Sequence, residues 1–288
     1  MNNYFLKALN QENEAPYIPV WLLRQAGRYM PEYREVRSQY KDFFEMIKKP
    51  EICKELTLQP LNAFDLDAAI TFTDILTIPD ALGLKVNFVK GKGPIFEKSL
   101  SSMDKLDLNT NEFHDKIQYV YSATSLIKEN VNVPLIGFTG SPWTLFVYMF
   151  YGQSPKDFKS IQSYISENSR DAERYLQILT DCCIEYAKRQ VQHGADCIQI
   201  FDSWAGILEN NYVDFSLKYV NQIYEALNGE VPLILYNRGK LLSTFIHESS
   251  FKAYSINSSD QIENYIDEDI TIQGNLNPDF FKKNEKEI

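Results

Sequence analysis

Histidine is scarce in this chain of 288 residues: there are three, His114, His193 and His247. Each falls in a helical pattern, and none pairs with a nearby cysteine, aspartate or histidine at metal-ligand spacing. Cysteine is scarce too. Cys53, Cys182, Cys183 and Cys197 form no C-x-x-C pair. They read as reduced packing residues, which implies a reducing compartment and excludes a disulfide framework. Positive charge is in deficit, with 29 basic against 39 acidic residues and a formal net charge of −10. General nucleic-acid binding wants a basic surface and is excluded. An anionic small ligand held by a local basic cluster is not.

Long apolar runs are also missing. The longest, near WTLFVYMFY, is about nine residues, too short to span a bilayer. The N-terminus, MNNYFLKALNQENE, lacks the apolar core of a signal peptide. The chain is therefore expected in the cytoplasm, away from membranes. No G-x-x-x-x-G-K-[ST] loop, G-x-S-x-G elbow or G-x-G-x-x-G fingerprint occurs. No lysine directly ends a predicted strand. Lys240, a few residues past one, is the nearest candidate for Schiff-base chemistry.

What is present is a recurrent alternation. Hydrophobic residues make up 44%, enough for a sizeable core. Short, nearly continuous apolar runs suit strands buried on both faces: PVWLL (19–23), AAITF (68–72), PLIGF (134–138), CIQIF (197–201), PLILY (232–236), AYSIN (253–257) and ITIQG (270–274). Amphipathic stretches lie between them, such as PEICKELTLQPLNAF and AERYLQILTDCCIEYAKRQVQHG. The second ends at His193-Gly194, a suitable helix C-cap. Strands alternating with helices imply a parallel sheet. Seven such units without a composition break predict an α/β fold, a (β/α)₈ TIM barrel with one unit unaccounted for. A doubly wound open sheet is the main rival. Residues 1–288 read as one domain. LGLKVNFVKGKGPIF (82–96) reads as a β-hairpin excursion turning at Gly91-Lys92-Gly93.

In barrels the chemistry lies at the C-terminal ends of the strands. Arg24, Gln25, Ala26, Gly27 and Arg28 follow the first run, and Asp74 follows the second. TGSPWTLFVY, with Ser141 and Tyr148, follows the third. Asp202, Ser203 and Trp204 follow the fourth, and Asn237-Arg238 the fifth. Polar, cationic and aromatic groups thus share one rim, as a site for an anion with an apolar body would require. Each residue has a structural reading as well. Arg24 and Arg28 could pair with Glu32 or Glu35, although Gly27 between them allows close backbone approach. Asp74 could cap a helix, Tyr148 could be core, Ser203 could be an N-cap and Asp202 a structural carboxylate.

PVWLLRQAGRYMPEYR resembles the first signature of the uroporphyrinogen decarboxylase family, and PLIGFTGSPWTLFVYMFYG the second. ELTLQPLNAFDLDAAITFTDIL, ALGLKVNFVKGKGP and QIFDSWAG are similar to that family too, so the resemblance covers essentially the whole chain. It implies a (β/α)₈ barrel, a homodimer, and removal of four acetate carboxyls from uroporphyrinogen III to give coproporphyrinogen III in haem biosynthesis, with no metal or organic cofactor. It implies that Arg24 and Arg28 bind substrate carboxylates and that Gln25, Ala26 and Gly27 line the same loop. Asp74 would accept hydrogen bonds from the pyrrole N–H groups and stabilise a cationic intermediate. Tyr148 and Ser203 would contact substrate, and Arg24 would assist proton transfer.

Two departures from the family pattern stand out. Asn257-Ser258 occupies the place of an Asp-Trp pair. After QGNLNP the family continues through a helix, an eighth strand and a turn bearing a substrate-binding histidine, where this chain has FFKKNEKEI. The expectation is a barrel without its eighth unit, open between its first and seventh strands. Three readings follow: the decarboxylase; a non-catalytic remnant that binds tetrapyrrole or pairs with a full-length subunit; and a related corrinoid methyltransferase. The last needs zinc ligands near the later strands, which the sequence does not offer.

Overall fold

The computed structural model describes residues 3–12, 16–89, 91–100, 106, 110–239, 245–265 and 268–282. Lys240 lies outside the described residues. Six strands form one parallel sheet. In chain order they are β1 (Ala69–Ile70), β4 (Leu135–Gly140), β5 (Cys197–Asp202), β6 (Leu233–Asn237), β7 (Ala253–Ser255) and β8 (Thr271–Gln273), and they are neighbours in that same order. β2 (Val86–Val89) and β3 (Gly93–Phe96) form a separate antiparallel hairpin, with Val86 opposite Phe96. Its turn uses Gly91 and Gly93 at φ 80° and 82°, where a Cβ would be strained. Phe43 packs on Phe88 of the hairpin, ring centroids 4.9 Å apart.

The helices are α1 (Tyr4–Leu9), α2 (Pro31–Ser38), α3 (Phe43–Ile47), α4 (Pro50–Ala63), α5 (Thr77–Pro79), α6 (Thr110–Lys128), α7 (Pro142–Tyr151), α8 (Lys159–Glu167), α9 (Ser169–Gln192) and α10 (Lys218–Leu227). Proline opens α2, α4 and α7, where its missing N–H costs nothing. α9 ends at His193, and Gly194 follows at φ 106°. α9 packs against β4, α7 and α10, and its buried stripe includes Cys182 and Cys183. All four cysteines are free and buried. Among the described residues no helix is long and apolar enough to cross a membrane.

Because the strands are parallel, their N-terminal ends share one side. Phe5 and Leu9 of α1 plug that side against Ala68, Ile136, Cys197, Ile234 and Ala253. The C-terminal ends are left as the open rim.

One predicted strand is corrected. Residues 19–23 join no ladder, and Leu23 already lies in a turn. The Val20 N–H donates to Asp67 Oδ2 at 2.8 Å, and its carbonyl accepts from the Asp67 N–H at 2.8 Å. The next contacts with β1 come from a side chain. Gln25 Nε2 donates to the Ala68 carbonyl at 2.7 Å, and its Oε1 accepts from the Ile70 N–H at 3.3 Å. A glutamine amide is chemically a peptide group, so it satisfies the strand edge as a neighbouring backbone would. Gln190 of α9 does the same for both backbone groups of Phe138, past the point where β1 ends. The gap expected between the first and last strands is present, with β1 and β8 as the edges of the sheet, and side chains tie the N-terminal segment to β8. Trp21 Nε1 donates to Gln273 Oε1 at 3.0 Å, and Gln273 Nε2 donates to Gln199 Oε1 at 2.8 Å. At the lower end Thr271 Oγ1 donates to the Ala8 carbonyl at 2.8 Å. The six-stranded curl is an incomplete barrel, with the N-terminal segment tied to both of its edge strands.

Candidate active site

The rim gathers residues from four strand ends and the loop beside β1. That loop, residues 24–30, is held from within. Arg34 Nη1 donates to the carbonyls of Arg28 at 2.8 Å and Tyr29 at 3.1 Å, and the Met30 N–H donates to the Gly27 carbonyl at 2.9 Å. Tyr29 donates its hydroxyl to the Gln25 carbonyl. Arg34 is thus a structural cation. Arg24 and Arg28 are exposed, and among the described residues neither pairs with Glu32, Glu35 or any other carboxylate. The Gln25 side chain is buried and bonded beside β1, while its backbone stays in the loop. A Cβ on Gly27 would meet Tyr29 at 3.4 Å and Arg24 at 3.8 Å. Those are ordinary contacts, so the loop's own packing does not demand glycine there.

The Gln25 bonds set the loop's height over the rim. Gln25→Leu would leave the buried Ala68 carbonyl and the part-buried Ile70 N–H without these partners, costing about 1–3 kcal/mol each. Urea unfolding is expected to show a destabilisation of about 2–4 kcal/mol. A loss under 0.5 kcal/mol would mean that these bonds do not anchor the loop.

Asp74 follows β1 and lies in the turn into α5, which has no side-chain cap of its own. Its Oδ1 accepts from the Leu76 N–H at 2.8 Å, and its carbonyl accepts from Thr77 Oγ1 at 2.8 Å. One oxygen therefore shapes the turn into α5. Among the described residues no donor reaches the other, Oδ2. Burial pushes the carboxyl up to about 6, while the Leu76 N–H and the charge of Arg24 pull it down. Arg24 and Asp74 thus lie within electrostatic reach.

Tyr148, on α7, is half-buried and meets Trp204 edge-on, centroids 5.8 Å apart. Its hydroxyl is raised by burial and then by the charge of Asp74, while Arg238 acts in the opposite sense. Arg24 is thus within electrostatic reach of Asp74, and both Asp74 and Arg238 are within reach of Tyr148, on the rim formed by the strand ends. Ser203 is half-buried at the end of β5. The short helix after it (Ala205–Ile207) starts from Trp204 without any side-chain cap, so Ser203 is not an N-cap.

Asp202 takes the structural role. It is fully buried, and its Oδ1 accepts from Ser141 Oγ at 2.7 Å while Oδ2 accepts from Ser216 Oγ at 2.7 Å. Ser141 in turn caps α7, which carries Tyr148. The backbone around Ser203 is fixed from α7: Trp143 Nε1 donates to the Trp204 carbonyl at 2.9 Å, and the Trp204 N–H donates to Thr144 Oγ1 at 3.3 Å. Asn257, in place of the family's aspartate, is also structural. Its Nδ2 donates to the carbonyls of Asn237 and Gly239, both at 3.1 Å.

The zinc reading finds no support in this geometry. Cys53 lies in α4, Cys182 and Cys183 lie in α9, and Cys197 lies at the plugged end of the barrel. His114 is held by Tyr121 and Glu185, and His193 by Ser125, between α6 and α9.

The chain matches the family model for uroporphyrinogen decarboxylase (URO-D) over residues 1–288. It is 39% identical over 301 aligned residues to a uroporphyrinogen decarboxylase of Francisella tularensis subsp. novicida, covering 100% of this chain and 86% of that protein. A uroporphyrinogen decarboxylase of Ruthia magnifica is 46% identical over 230 residues, covering 77% and 66%. One from Hydrogenovibrio crunogenus is 40% identical over 291 residues, covering 96% and 82%. Among solved structures, a methyltransferase from Methanosarcina mazei has a TM-score of 0.77 at 20% identity, covering 94% of this chain and 81% of that one. At that identity the likeness concerns the fold alone. With the signature loop, Asp74 and Tyr148 on one rim, and the family matched from end to end, the chain belongs to the uroporphyrinogen decarboxylase family.

Proposed function

We propose that this chain decarboxylates uroporphyrinogen III, converting its four acetate side chains to methyls and giving coproporphyrinogen III in haem biosynthesis. The observation that carries the reading is the pairing of a half-buried carboxylate, Asp74, with unpaired Arg24 and Arg28 on one rim of an otherwise acidic protein. The substrate carries eight carboxylates around a ring of pyrrole N–H donors. Asp74 Oδ2 accepts from the N–H groups, and Arg24 and Arg28 take peripheral carboxylates through forked guanidinium contacts. Ala26 and Gly27 line the loop between the arginines, Gln25 holds it to β1, and Tyr148 and Ser203 donate to further carboxylates.

Each acetate is lost by the same sequence. A proton adds to the pyrrole ring carbon beside the acetate-bearing one, so the ring becomes a cation. The C–CO₂ bond breaks, its electron pair forms an exocyclic C=C and neutralises the ring, and CO₂ leaves. A second proton converts the exocyclic carbon to methyl, and loss of the ring proton restores the pyrrole. Arg24 assists the first transfer. The Asp74 carboxylate faces the developing cation. Preorganised charge of this kind contributes about 3–4 kcal/mol per group.

We also infer a homodimer, supported by the exposed apolar residues Ile18 (86%), Val20 (49%) and Leu23 (46%) leading into the RQAGR loop. The four free, buried thiols support a reducing compartment, the cytoplasm. The test is an anaerobic incubation with uroporphyrinogen, followed by oxidation and chromatography by carboxyl number. Products with seven down to four carboxyls are expected. Unchanged eight-carboxyl substrate, with folded protein, would return the non-catalytic reading to first place.

A further inference from the structure

The two cations of the RQAGR loop stand beside β1, at one end of the sheet. Asp74, Tyr148 and Ser203 follow β1, β4 and β5. A ligand with carboxylates on every side needs a cation beyond them as well. The next strand in the sheet is β6 (Leu233–Asn237), and Arg238 follows it directly.

The backbone around Arg238 is fixed by three contacts. Its N–H donates to the Asp202 carbonyl at 3.2 Å, closing the last pair of the β5–β6 ladder, Asp202 opposite Asn237. The Asn257 amide bridges the carbonyls on either side of it. Gly239 lies against Gly206: a Cβ on Gly239 would fall 2.9 Å from Gly206 Cα, and one on Gly206 would fall 2.9 Å from the Arg238 carbonyl oxygen. Only paired glycines permit that approach, which draws the Arg238 loop onto the loop that follows Ser203.

The side chain, by contrast, is exposed, and among the described residues no carboxylate pairs with it. Its charge reaches the Tyr148 hydroxyl, on the helix that follows β4. A cation held on a clamped backbone at the rim, with no protein anion among the described residues, is arranged for a ligand anion.

We propose that Arg238 binds a peripheral carboxylate of the substrate on the far side of Asp74 from Arg24 and Arg28. The inference rests on the decarboxylase reading above.

Arg238→Gln and Arg238→Lys test it, because the side chain holds no part of the fold and the melting temperature should stay within about 2 °C. In anaerobic kinetics with uroporphyrinogen, Arg238→Gln is expected to raise KM about tenfold, with kcat within about threefold. Arg238→Lys should recover part of the loss, since it keeps the charge but not the fork. Fluorescence titration with uroporphyrin reads binding without turnover, and Arg238→Gln should weaken it by a similar factor. Unchanged KM and unchanged titration overturn the proposal. A parent chain that binds uroporphyrin through Arg238 yet turns over no uroporphyrinogen overturns only the decarboxylase reading. A parent that does neither overturns both.

Discussion

Asp74→Asn is expected to lower kcat by about a hundredfold to a thousandfold while the protein folds normally. Asparagine keeps an acceptor for the Leu76 N–H, which Asp74 Oδ1 holds at 2.8 Å, so the turn into α5 survives. What disappears is the negative charge facing the pyrrole cation. The same charge is costly in the empty protein. Burial pushes the carboxyl up to about 6 from an ordinary value of 3.8. The folded state therefore favours the protonated form, and stability falls as pH rises from 4 through 6. Above pH 6 the Asn variant should melt at a higher temperature than the parent, and below pH 4 the two should converge. The parent's kcat/KM should rise with pH through about 6 as the working carboxylate forms. Thermal scans at pH 4 and 8 with a pH–rate profile check all of this. A variant that keeps full turnover, or melts lower than the parent at pH 8, would show that Asp74 serves the turn alone.

Arg24→Gln should lower kcat/KM by about a hundredfold, through a lost forked carboxylate contact and a weaker field on Asp74. The field makes a separable prediction. Arg24 now pulls the Asp74 carboxyl down against burial. Without it, burial is less opposed, and the acidic limb of the pH–rate profile should move above 6. Arg28→Gln should raise KM and leave the limb in place, because Arg28 is not among the charges that shift Asp74. Identical profiles for parent and Arg24→Gln would mean that the guanidinium acts on the substrate only.

Much of the site is legible in the sequence because barrel chemistry follows strand ends, and buried parallel strands announce themselves as apolar runs. AAITF, PLIGF, CIQIF and PLILY behave so, and the residues after them form the rim. PVWLL misleads for a physical reason. An apolar run shows that a segment can be buried, but a ladder needs backbone partners, and here Gln25 supplies them from a side chain. Periodicity carries no signal for an amide that stands in for a peptide. For the same reason Gln190 and Gln273 pass unnoticed in the sequence. Asp202 and Asp74 look alike on paper, each within two residues of the end of an apolar run. Tertiary partners separate them: hydroxyls of Ser141 and Ser216 occupy both oxygens of Asp202, while among the described residues no donor reaches Asp74 Oδ2. Arg238 is visible as a residue after a strand. Its clamped backbone depends on Asn257 and on Gly206 meeting Gly239, contacts between segments distant in sequence.

The most direct measurement is an anaerobic crystal structure with coproporphyrinogen in the cleft. The account predicts pyrrole nitrogens within hydrogen-bond distance of Asp74 Oδ2, with peripheral carboxylates on Arg24 and Arg28. A macrocycle bound elsewhere, or one turning its carboxylates toward Asp74, would contradict it.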